Sequence, residues 1–190
     1  LGGGAFSLAG VVLVEGANAV DLRAVDGAGN VGTATLRLIL DTISPAIVIT
    51  HPVGGTPIDA LSVTVSGTVS DANLDTVTVD GAPAVIEGVS FRRDGVPLVE
   101  GTNTLEAIAH DRAGNSTRTD VTVTADTKAP SVSIGAPANG AVLGVSPAVV
   151  TGSAIDAHLA SVTVNGVSAH LEAGGRFRAE VPLVEGRTTL

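Results

Sequence analysis

The chain of 190 residues contains no cysteine, methionine, tryptophan or tyrosine, and it has three phenylalanines. Without cysteine, no disulfide can cross-link the chain and no thiol chemistry is available. Lys128 is its one lysine, and the formal net charge is −9. Because nucleic acids and anionic membranes are bound by clusters of Lys and Arg, we expect no nucleic-acid partner. We also expect no membrane insertion, since no apolar run reaches the roughly 18–20 residues needed to span a bilayer.

The residues that are abundant favour β-structure. Val and Thr dominate the patterned stretches, and β-branched side chains fit a pleated, half-buried surface. The 24 glycines and nine prolines are typical of a chain with many turns. We therefore expect an all-β protein.

One segment occurs three times, as VVLVEGANAV, VPLVEGTNTL and VPLVEGRTTL, and the copies start at positions 11, 96 and 181, so the period is 85 residues. DTISPAIVI from Asp41 and DTKAPSVSI from Asp126 have the same spacing. The period predicts a tandem array. It divides the chain into the C-terminal part of one repeat (1–40), a complete repeat (41–125) and the N-terminal part of a third (126–190). Two explanations fit the incomplete repeats: a window cut from a longer polypeptide, or completion by neighbouring chains through strand exchange.

The complete repeat shows the two-residue periodicity of strands. Val65 and Val69 fall on one face of the predicted strand 61–70. Asp80-Gly81 is a favoured pair for a two-residue hairpin turn, since both central residues need positive φ. A bulge is expected near Asp94-Gly95. Short strands with turns about every 8–12 residues, and no helical periodicity, predict a seven-stranded β-sandwich. The remaining predicted strands are 46–50, 76–79, 82–87, 90–99, 104–111 and 117–125.

Three motifs carry a resemblance to a known kind of domain. They are Asp-x-Ala-Gly-Asn at Asp26–Asn30 and Asp111–Asn115, the linker Asp-Thr-x-x-Pro, and the segment Val-x-Leu-Val-Glu-Gly. The chain resembles the bacterial Ig-like domains strung in tandem in large surface and secreted proteins, and above all the module called glucodextranase domain B. The resemblance implies tandem seven-stranded Ig-like β-sandwiches joined by short linkers, used as a stalk, spacer, adhesive or accessory module.

Carboxylates recur in the loops at the repeat period. In an Ig-like strand order, the start of the first strand and two of the loops lie at the same end of the sandwich, beside the preceding domain. We expect this end to bring together Asp41, Asp71 and Asp111, with Asn115 and Asp75 close by. The matching residues of the next repeat are Asp126 and Asp156, and those of the earlier repeat are Asp26 and Asn30.

These carboxylates have two interpretations. Ca²⁺ takes about six to eight oxygen ligands from carboxylates and carbonyls, and tandem Ig-like domains of bacterial adhesins bind it at domain junctions. The resemblance therefore implies Ca²⁺ as the one candidate cofactor, stiffening each junction. The alternative is that Asp and Asn only form turns, in which their side chains accept backbone N–H bonds.

Other site chemistries receive little support. The four histidines (His51, His110, His158 and His170) do not recur at the period, so we expect solvent-facing side chains rather than a zinc or catalytic site. Phe6, Phe91 and Phe177 do recur, shortly before the Val-x-Leu-Val segment, which favours core positions. The arginines beside them (Arg92, Arg93, Arg176 and Arg178) are expected on an exposed strand face. The abundant Ser and Thr fall in alternating strand positions rather than beside a base and an acid.

These patterns favour a structural, non-enzymatic function. We expect an extracellular stalk, adhesin shaft or filament of a bacterial surface, whose partners are the neighbouring Ig-like repeats of the same chain and identical chains. The alternative is an accessory carbohydrate- or surface-binding module of a secreted polysaccharide-active enzyme. The absence of Trp and Tyr weighs against the alternative, because sugar-binding modules usually present aromatic platforms.

Overall fold

The computed structural model describes residues 5–184 and Gly186. The glycine triplet at 2–4, which is typical of a loop, and the end of the third copy, VPLVEGRTTL, fall outside these residues. The described residues form strands and turns only, which confirms the expected all-β class. Over the described part of the chain, no helix is long and apolar enough to cross a membrane. The strands are β1 (Gly16–Val25), β2 (Val31–Leu40), β3 (Ala46–His51), β4 (Pro57–Ile58), β5 (Ser62–Ser70), β6 (Leu74–Val79), β7 (Ala82–Pro83), β8 (Val85–Glu87), β9 (Ser90–Pro97), β10 (Gly101–Asp111), β11 (Ser116–Ala125), β12 (Ser131–Ala136), β13 (Ala148–Ile155), β14 (Thr163–Val164), β15 (Val167–Ser168), β16 (His170–Glu172) and β17 (Arg176–Val181).

The chain divides into two compact units. The first unit ends at Thr124 and the second begins at Ala125, except that the short segment Ile58–Ala60 belongs to the second. The first unit holds the β1–β2 hairpin and the complete repeat, and the second holds β12 to β17. The three-part division expected from the 85-residue period stays a prediction.

Two sheets form the complete repeat. One sheet has the order β3-β5-β9-β8, and the other has the order β4-β11-β10-β6-β7. Alternating side chains of both sheets are buried between them, as the periodicity predicted: Val65 and Val69 come from β5, and Leu105, Ala107 and Ala109 come from β10. The sheets thus enclose one apolar core, the arrangement of a β-sandwich.

The turn and the bulge in this repeat confirm the local predictions. Asp80 and Gly81 have φ of 46° and 74°, as the two-residue turn between β6 and β7 requires. Between β5 and β9 the register shifts from Val63–Val96 to Val65–Arg93, and Gly95 has φ of 65°. Arg93 shares the inward face of β9 with Phe91, two residues earlier, and its Nη1 donates to the Val79 carbonyl at 2.6 Å, so this arginine is half-buried instead of exposed.

Three further details differ from the sequence predictions. The predicted strand 82–87 is split into β7 and β8, which lie in different sheets. Pro57, the last residue of the loop predicted at 51–57, forms the short strand β4 with Ile58. Phe6 is exposed rather than buried. Its counterpart Phe91 packs over Gly67 of β5, whereas Phe6 lies outside the described strands.

The hairpin of residues 16–40 repeats the pattern of β10 and β11. Its strands β1 and β2 form a two-stranded antiparallel sheet in which Val20 pairs with Leu36 and Leu22 pairs with Ala34. Asp26 lies in the turn, one period before Asp111. No described strand outside the hairpin pairs with either β1 or β2.

The second unit repeats the first half of the sandwich. Its four-stranded sheet has the order β12-β13-β17-β16, which matches β3-β5-β9-β8. Phe177 is buried over Gly152, as Phe91 is over Gly67. The β13–β17 register is continuous, because this repeat lacks the extra residue of the Asp94-Gly95 bulge. A separate two-stranded sheet, β14–β15, matches β6–β7 and carries the same kind of turn at Asn165-Gly166.

Candidate functional site: the loop carboxylates

Three aspartates from different loops meet in the complete repeat. Asp41 precedes β3, Asp71 directly follows β5, and Asp111 ends β10. One carboxylate oxygen from each lies within 4.8 Å of the others. Asp111 is buried and the other two are half-buried. The strand order thus brings these three predicted residues together, and we call them the central carboxylate cluster.

Hydrogen bonds hold Asp111 as a carboxylate. Its Oδ1 accepts the N–H groups of Ala113 at 2.9 Å and of Asn115 at 2.8 Å, and its Oδ2 accepts Nδ2 of Asn115 at 2.8 Å. Burial opposes ionisation of this group, but the donors from Asn115, Gly114 and Ala113 outweigh it and hold the pKa of Asp111 below its ordinary value. The Asp-x-Ala-Gly-Asn motif therefore forms a turn in which the carboxylate of the first residue accepts hydrogen bonds from the residues that follow it.

Two asparagines link the three aspartates. Nδ2 of Asn73 donates to Oδ2 of Asp41 at 2.6 Å, and the backbone N–H of Asn73 donates to Oδ1 of Asp71 at 2.7 Å. Nδ2 of Asn115 also reaches the Asp41 carbonyl at 3.1 Å. Asn115 was among the predicted residues. Asn73 was not, because its counterpart one period later is a histidine and the position therefore carries no repeated residue type.

The second unit contains the matching cluster. Asp126, Asp156 and His158 each bring one ligand atom within 4.8 Å of the others. Nδ1 of His158 lies 2.5 Å from Oδ2 of Asp126, and the His158 N–H donates to Oδ1 of Asp156 at 2.7 Å. His158 thus makes the two contacts that Asn73 makes one period earlier. Its side chain is exposed, as expected, but its contact with the cluster was missed.

The ionisation of Asp126 follows from the same contact. The hydrogen bond with His158, helped by the Lys128 N–H, outweighs the effect of burial and holds the pKa of Asp126 below its ordinary value. Asp126 therefore remains a carboxylate under neutral conditions.

Asp26 and Asn30 belong to neither of the clusters found among the described residues. Oδ2 of Asp26 accepts Nδ2 of Asn30 at 2.7 Å, and its Oδ1 accepts the N–H groups of Asn30 and Ala28 at 2.8 and 2.9 Å. The Asn30 side chain is the main cause that holds the pKa of Asp26 below its ordinary value. This turn is a copy of the Asp111 turn, but within the described part of the chain it is not grouped with other carboxylates. Asp75 joins neither of the clusters formed by the described residues.

The donor sets of the two clusters differ in chemistry. The central cluster offers carboxylate oxygens, with the carbonyl of Asp41 nearby, and hard oxygen donors are the ligands of Ca²⁺. The second cluster has a ring nitrogen in place of the third carboxylate, and imidazole is a poor ligand for Ca²⁺. The residues of the central cluster therefore fit Ca²⁺, and those of the second unit alone do not.

A surface groove of the complete repeat bears on carbohydrate binding. It runs along β8 and β9 beside β5, and its polar lining includes Glu87 and the ion pair of Arg92 and Asp94, whose atoms are 2.7 Å apart. Phe91 is the aromatic residue of this lining and is buried. The groove therefore presents no exposed aromatic face on which a sugar ring could stack.

One family model is similar to the complete repeat. Residues 45–127 match the family model described as glucodextranase, domain B. The complete repeat is therefore similar to that module. The match covers the two-sheet sandwich and includes Asp71 and Asp111 of the central carboxylate cluster.

Other known proteins share parts of this chain. Bacillopeptidase F of Bacillus subtilis (strain 168) is 32% identical over 110 residues, which is 57% of this chain and 8% of that protein. A crystal structure of a tetra-tandem repeat in the extending region of a large adhesion protein is 24% identical, covers 90% of this chain and 49% of that one, and has a TM-score of 0.40. Extracellular cadherin domains 3–6 of protocadherin gamma B2 are 15% identical over 88% of this chain and 49% of theirs, with a TM-score of 0.39. These two structural similarities support no conclusion about function.

Proposed function

We propose that this chain is a structural segment of an extracellular protein, in which tandem Ig-like domains act as a spacer or stalk and the central carboxylate cluster binds Ca²⁺. The observation that carries the proposal is the recurrence of one loop arrangement at the repeat period. Asp41 and Asp71 meet in the complete repeat, and Asp126 and Asp156 meet in the second unit. Because the same pair of aspartates meets in successive repeats, it fits a function of the tandem array better than a binding pocket of a single domain.

Charge supports the calcium part of the proposal. Three carboxylates within 4.8 Å place like charges in a partly buried site, and a divalent cation there would remove their mutual repulsion. The hydrogen bonds of Asn73 and Asn115 compensate only part of that charge, since an amide carries no net charge. Bound Ca²⁺ would fix the loops after β5 and β10 to Asp41, where the linker Asp-Thr-x-x-Pro begins. We expect this to reduce the flexibility of the linker at Asp41.

The proposal is tested by thermal unfolding of the full chain with and without Ca²⁺. For a dissociation constant near 0.5 mM, within the range of extracellular modules, about 5 mM Ca²⁺ stabilises the folded state by about 1.4 kcal/mol. That corresponds to a rise in Tm of about 5–10 °C for a domain of this size. Mg²⁺ at the same concentration is the ionic-strength control.

Matched variants make the test specific. Asp71→Asn removes a cluster carboxylate and should abolish the Ca²⁺-dependent rise in Tm. Asp120→Asn makes the same chemical change on the exposed face of β11 and should leave the rise intact. Equal responses of the two variants, or no rise in the unmodified chain, would show that these carboxylates only form turns.

A second candidate function rests on the relatives. The matched family and bacillopeptidase F both carry the names of enzymes, so the repeat could serve as an accessory module of a secreted enzyme. The groove beside β9, which lacks an exposed aromatic face, weighs against sugar binding by stacking. A glycan array probed with the 190-residue chain tests this candidate, and binding that is lost on substituting Arg92 would favour it over the spacer role.

A further inference from the structure

The turn before β1 presents a glutamate at the surface. Oδ1 of Asn18 accepts the Val14 N–H at 2.9 Å, and Nδ2 of Asn18 donates to the carbonyls of Val14 and Gly16, each at 2.8 Å. Gly16 has φ of 88°, a conformation that a residue without a Cβ adopts at little cost. Glu15 lies between these two residues and is exposed. The turn therefore fixes the backbone on both sides of Glu15 and leaves its side chain free to reach another segment.

The Glu15 carboxylate bonds to the linker that follows β2. Its Oε1 and Oε2 each accept the Thr42 N–H at 3.2 Å, and its Oε2 also accepts the Thr42 hydroxyl at 2.8 Å. The two residues are 27 positions apart, so this contact joins the turn before β1 to the linker and is not part of a local turn. Hydrogen bonds to an ionised acceptor are stronger than those between neutral groups. We call this pair the linker contact.

The linker is also tied to the complete repeat, at the residue next to Thr42. Oδ2 of Asp41 accepts Nδ2 of Asn73 at 2.6 Å, and the Asp41 carbonyl accepts Nδ2 of Asn115 at 3.1 Å. Pro45, at the end of the Asp-Thr-x-x-Pro linker, is buried. Because Asp41 and Thr42 are consecutive residues, with Cα atoms about 3.8 Å apart, a movement of Thr42 displaces Asp41 as well.

Both partners of the linker contact recur in the sequence. Glu100 and Thr127 stand one period after Glu15 and Thr42. Asn103 makes the same three hydrogen bonds to the turn around Glu100 that Asn18 makes one period earlier. A glutamate, the turn that presents it and a linker threonine therefore repeat together, which indicates a feature of the array rather than of one repeat.

We propose that Glu15 is a positioning residue of the junction, and that through the linker contact it holds Asp41 in the central carboxylate cluster. All three carboxylates of that cluster belong to the complete repeat, whereas Glu15 belongs to the preceding one. The Ca²⁺ affinity of one repeat should then depend on a side chain of its neighbour. This last consequence rests on the proposed function, but the positioning of Asp41 needs no metal.

Amide hydrogen exchange of the Ca²⁺-free 190-residue chain, measured by NMR, tests the linker contact. Glu15→Ala removes the acceptor of the Thr42 N–H, which should exchange about fivefold faster. Glu172→Ala is the matched control, since it removes an exposed glutamate from β16 of the second unit and should leave this exchange rate unchanged. An exchange rate that Glu15→Ala does not alter, or that both variants raise equally, would overturn the proposal.

The Asn73 side chain reports the position of Asp41 without any metal. Thr42→Val keeps the shape of the side chain and removes its hydroxyl without a change of charge. The NMR resonances of the Asn73 Nδ2 protons, which are bonded to Asp41, should then shift towards those of a solvent-exposed amide. Thr42→Ser keeps the hydroxyl and should leave these resonances in place. Equal shifts in both variants, or none in Thr42→Val, would show that the linker contact does not position Asp41.

Calcium titration of the same two variants measures the effect on the cation site. Thr42→Val should raise the dissociation constant for Ca²⁺ about threefold, and Thr42→Ser should leave it unchanged. Because neither substitution alters the net charge, a long-range electrostatic effect cannot account for a difference between them. Equal dissociation constants in the two variants would overturn the dependence of Ca²⁺ affinity on the preceding repeat.

The tests separate this inference from the proposed function. A chain that binds no Ca²⁺ but shows the expected changes at Thr42 and Asn73 would refute the calcium part of the proposed function and support the positioning role of Glu15. A chain that binds Ca²⁺ but whose Thr42 N–H does not respond to Glu15→Ala would refute the inference alone.

Discussion

Replacing Gly67 by alanine is the sharpest test of how the core of the complete repeat is packed. A Cβ added to Gly67 would lie 1.9 Å from the Val48 carbonyl oxygen and 2.7 Å from the Phe91 ring. Real Cβ contacts are never this short, and the obstacle includes backbone of the neighbouring strand. Either β3 must move away from β5, or Phe91 must leave its buried position over the glycine.

The magnitude follows from the size of that displacement. Overpacking a well-packed core costs about 1–3 kcal/mol, and complete loss of a buried Phe costs about 3–5 kcal/mol. We therefore expect Gly67→Ala to lower the free energy of unfolding by about 3 kcal/mol, which is about 12–24 °C in Tm for a domain of this size. Gly54→Ala is the matched control, since its Cβ would meet Val121 at an ordinary 3.6 Å.

Calorimetry or circular dichroism measures the change, because the chain contains no Trp or Tyr for fluorescence. Hydrogen exchange of peptides from β5 and β9 assigns the affected transition to the complete repeat. A loss below about 1 kcal/mol, or a loss equal to that of Gly54→Ala, would refute the packing of Phe91 over Gly67.

Further predictions concern the second core and two turns. Gly152→Ala should destabilise the second unit in the same way, because its Cβ would lie 2.6 Å from the Phe177 ring, and hydrogen exchange of β13 should report it. Asn103→Ala removes side-chain hydrogen bonds to the Val99 N–H and to the carbonyls of Val99 and Gly101, and should cost about 1–2 kcal/mol in denaturant unfolding. The lowered pKa of Asp111 contributes stability that is complete above the unfolded value of about 4 and is lost as pH falls through the folded value. Acid titration of unfolding should therefore show a steeper loss below about pH 4 in the unmodified chain than in Asp111→Asn, and equal slopes would contradict the role of this carboxylate.

Much of the fold could be predicted because its determinants are local and repeated. The alternation of Val65 and Val69 and the Asp80-Gly81 pair each specify one strand face or one turn with no need for distant contacts. The meeting of Asp41, Asp71 and Asp111 could be predicted from the Ig-like strand order together with the period. The structure adds the distances and leaves the binding of a metal as a prediction.

The features that were missed depend on contacts between distant segments. Gly67 is an ordinary strand residue in the sequence, and only its pairing with Phe91 in β9 explains why a glycine stands there. Arg93 shares the inward face of β9 with Phe91, and its half-buried position depends on the Val79 carbonyl of the other sheet, which accepts its Nη1. Histidine does not recur at the position of His158, so the sequence gives no sign of its role. What recurs is the contact of this position with the first aspartate of the repeat, Asp126 for His158 and Asp41 for Asn73.

Direct measurement of Ca²⁺ binding to the 190-residue chain tests the central claim most directly. Equilibrium dialysis should find Ca²⁺ bound at the central carboxylate cluster with a dissociation constant of about 0.1–1 mM, the range of extracellular modules. Asp71→Asn should abolish this binding and Asp120→Asn should preserve it. Absence of binding at several millimolar Ca²⁺, or binding unaffected by Asp71→Asn, would contradict the claim that the central carboxylate cluster forms a cation site.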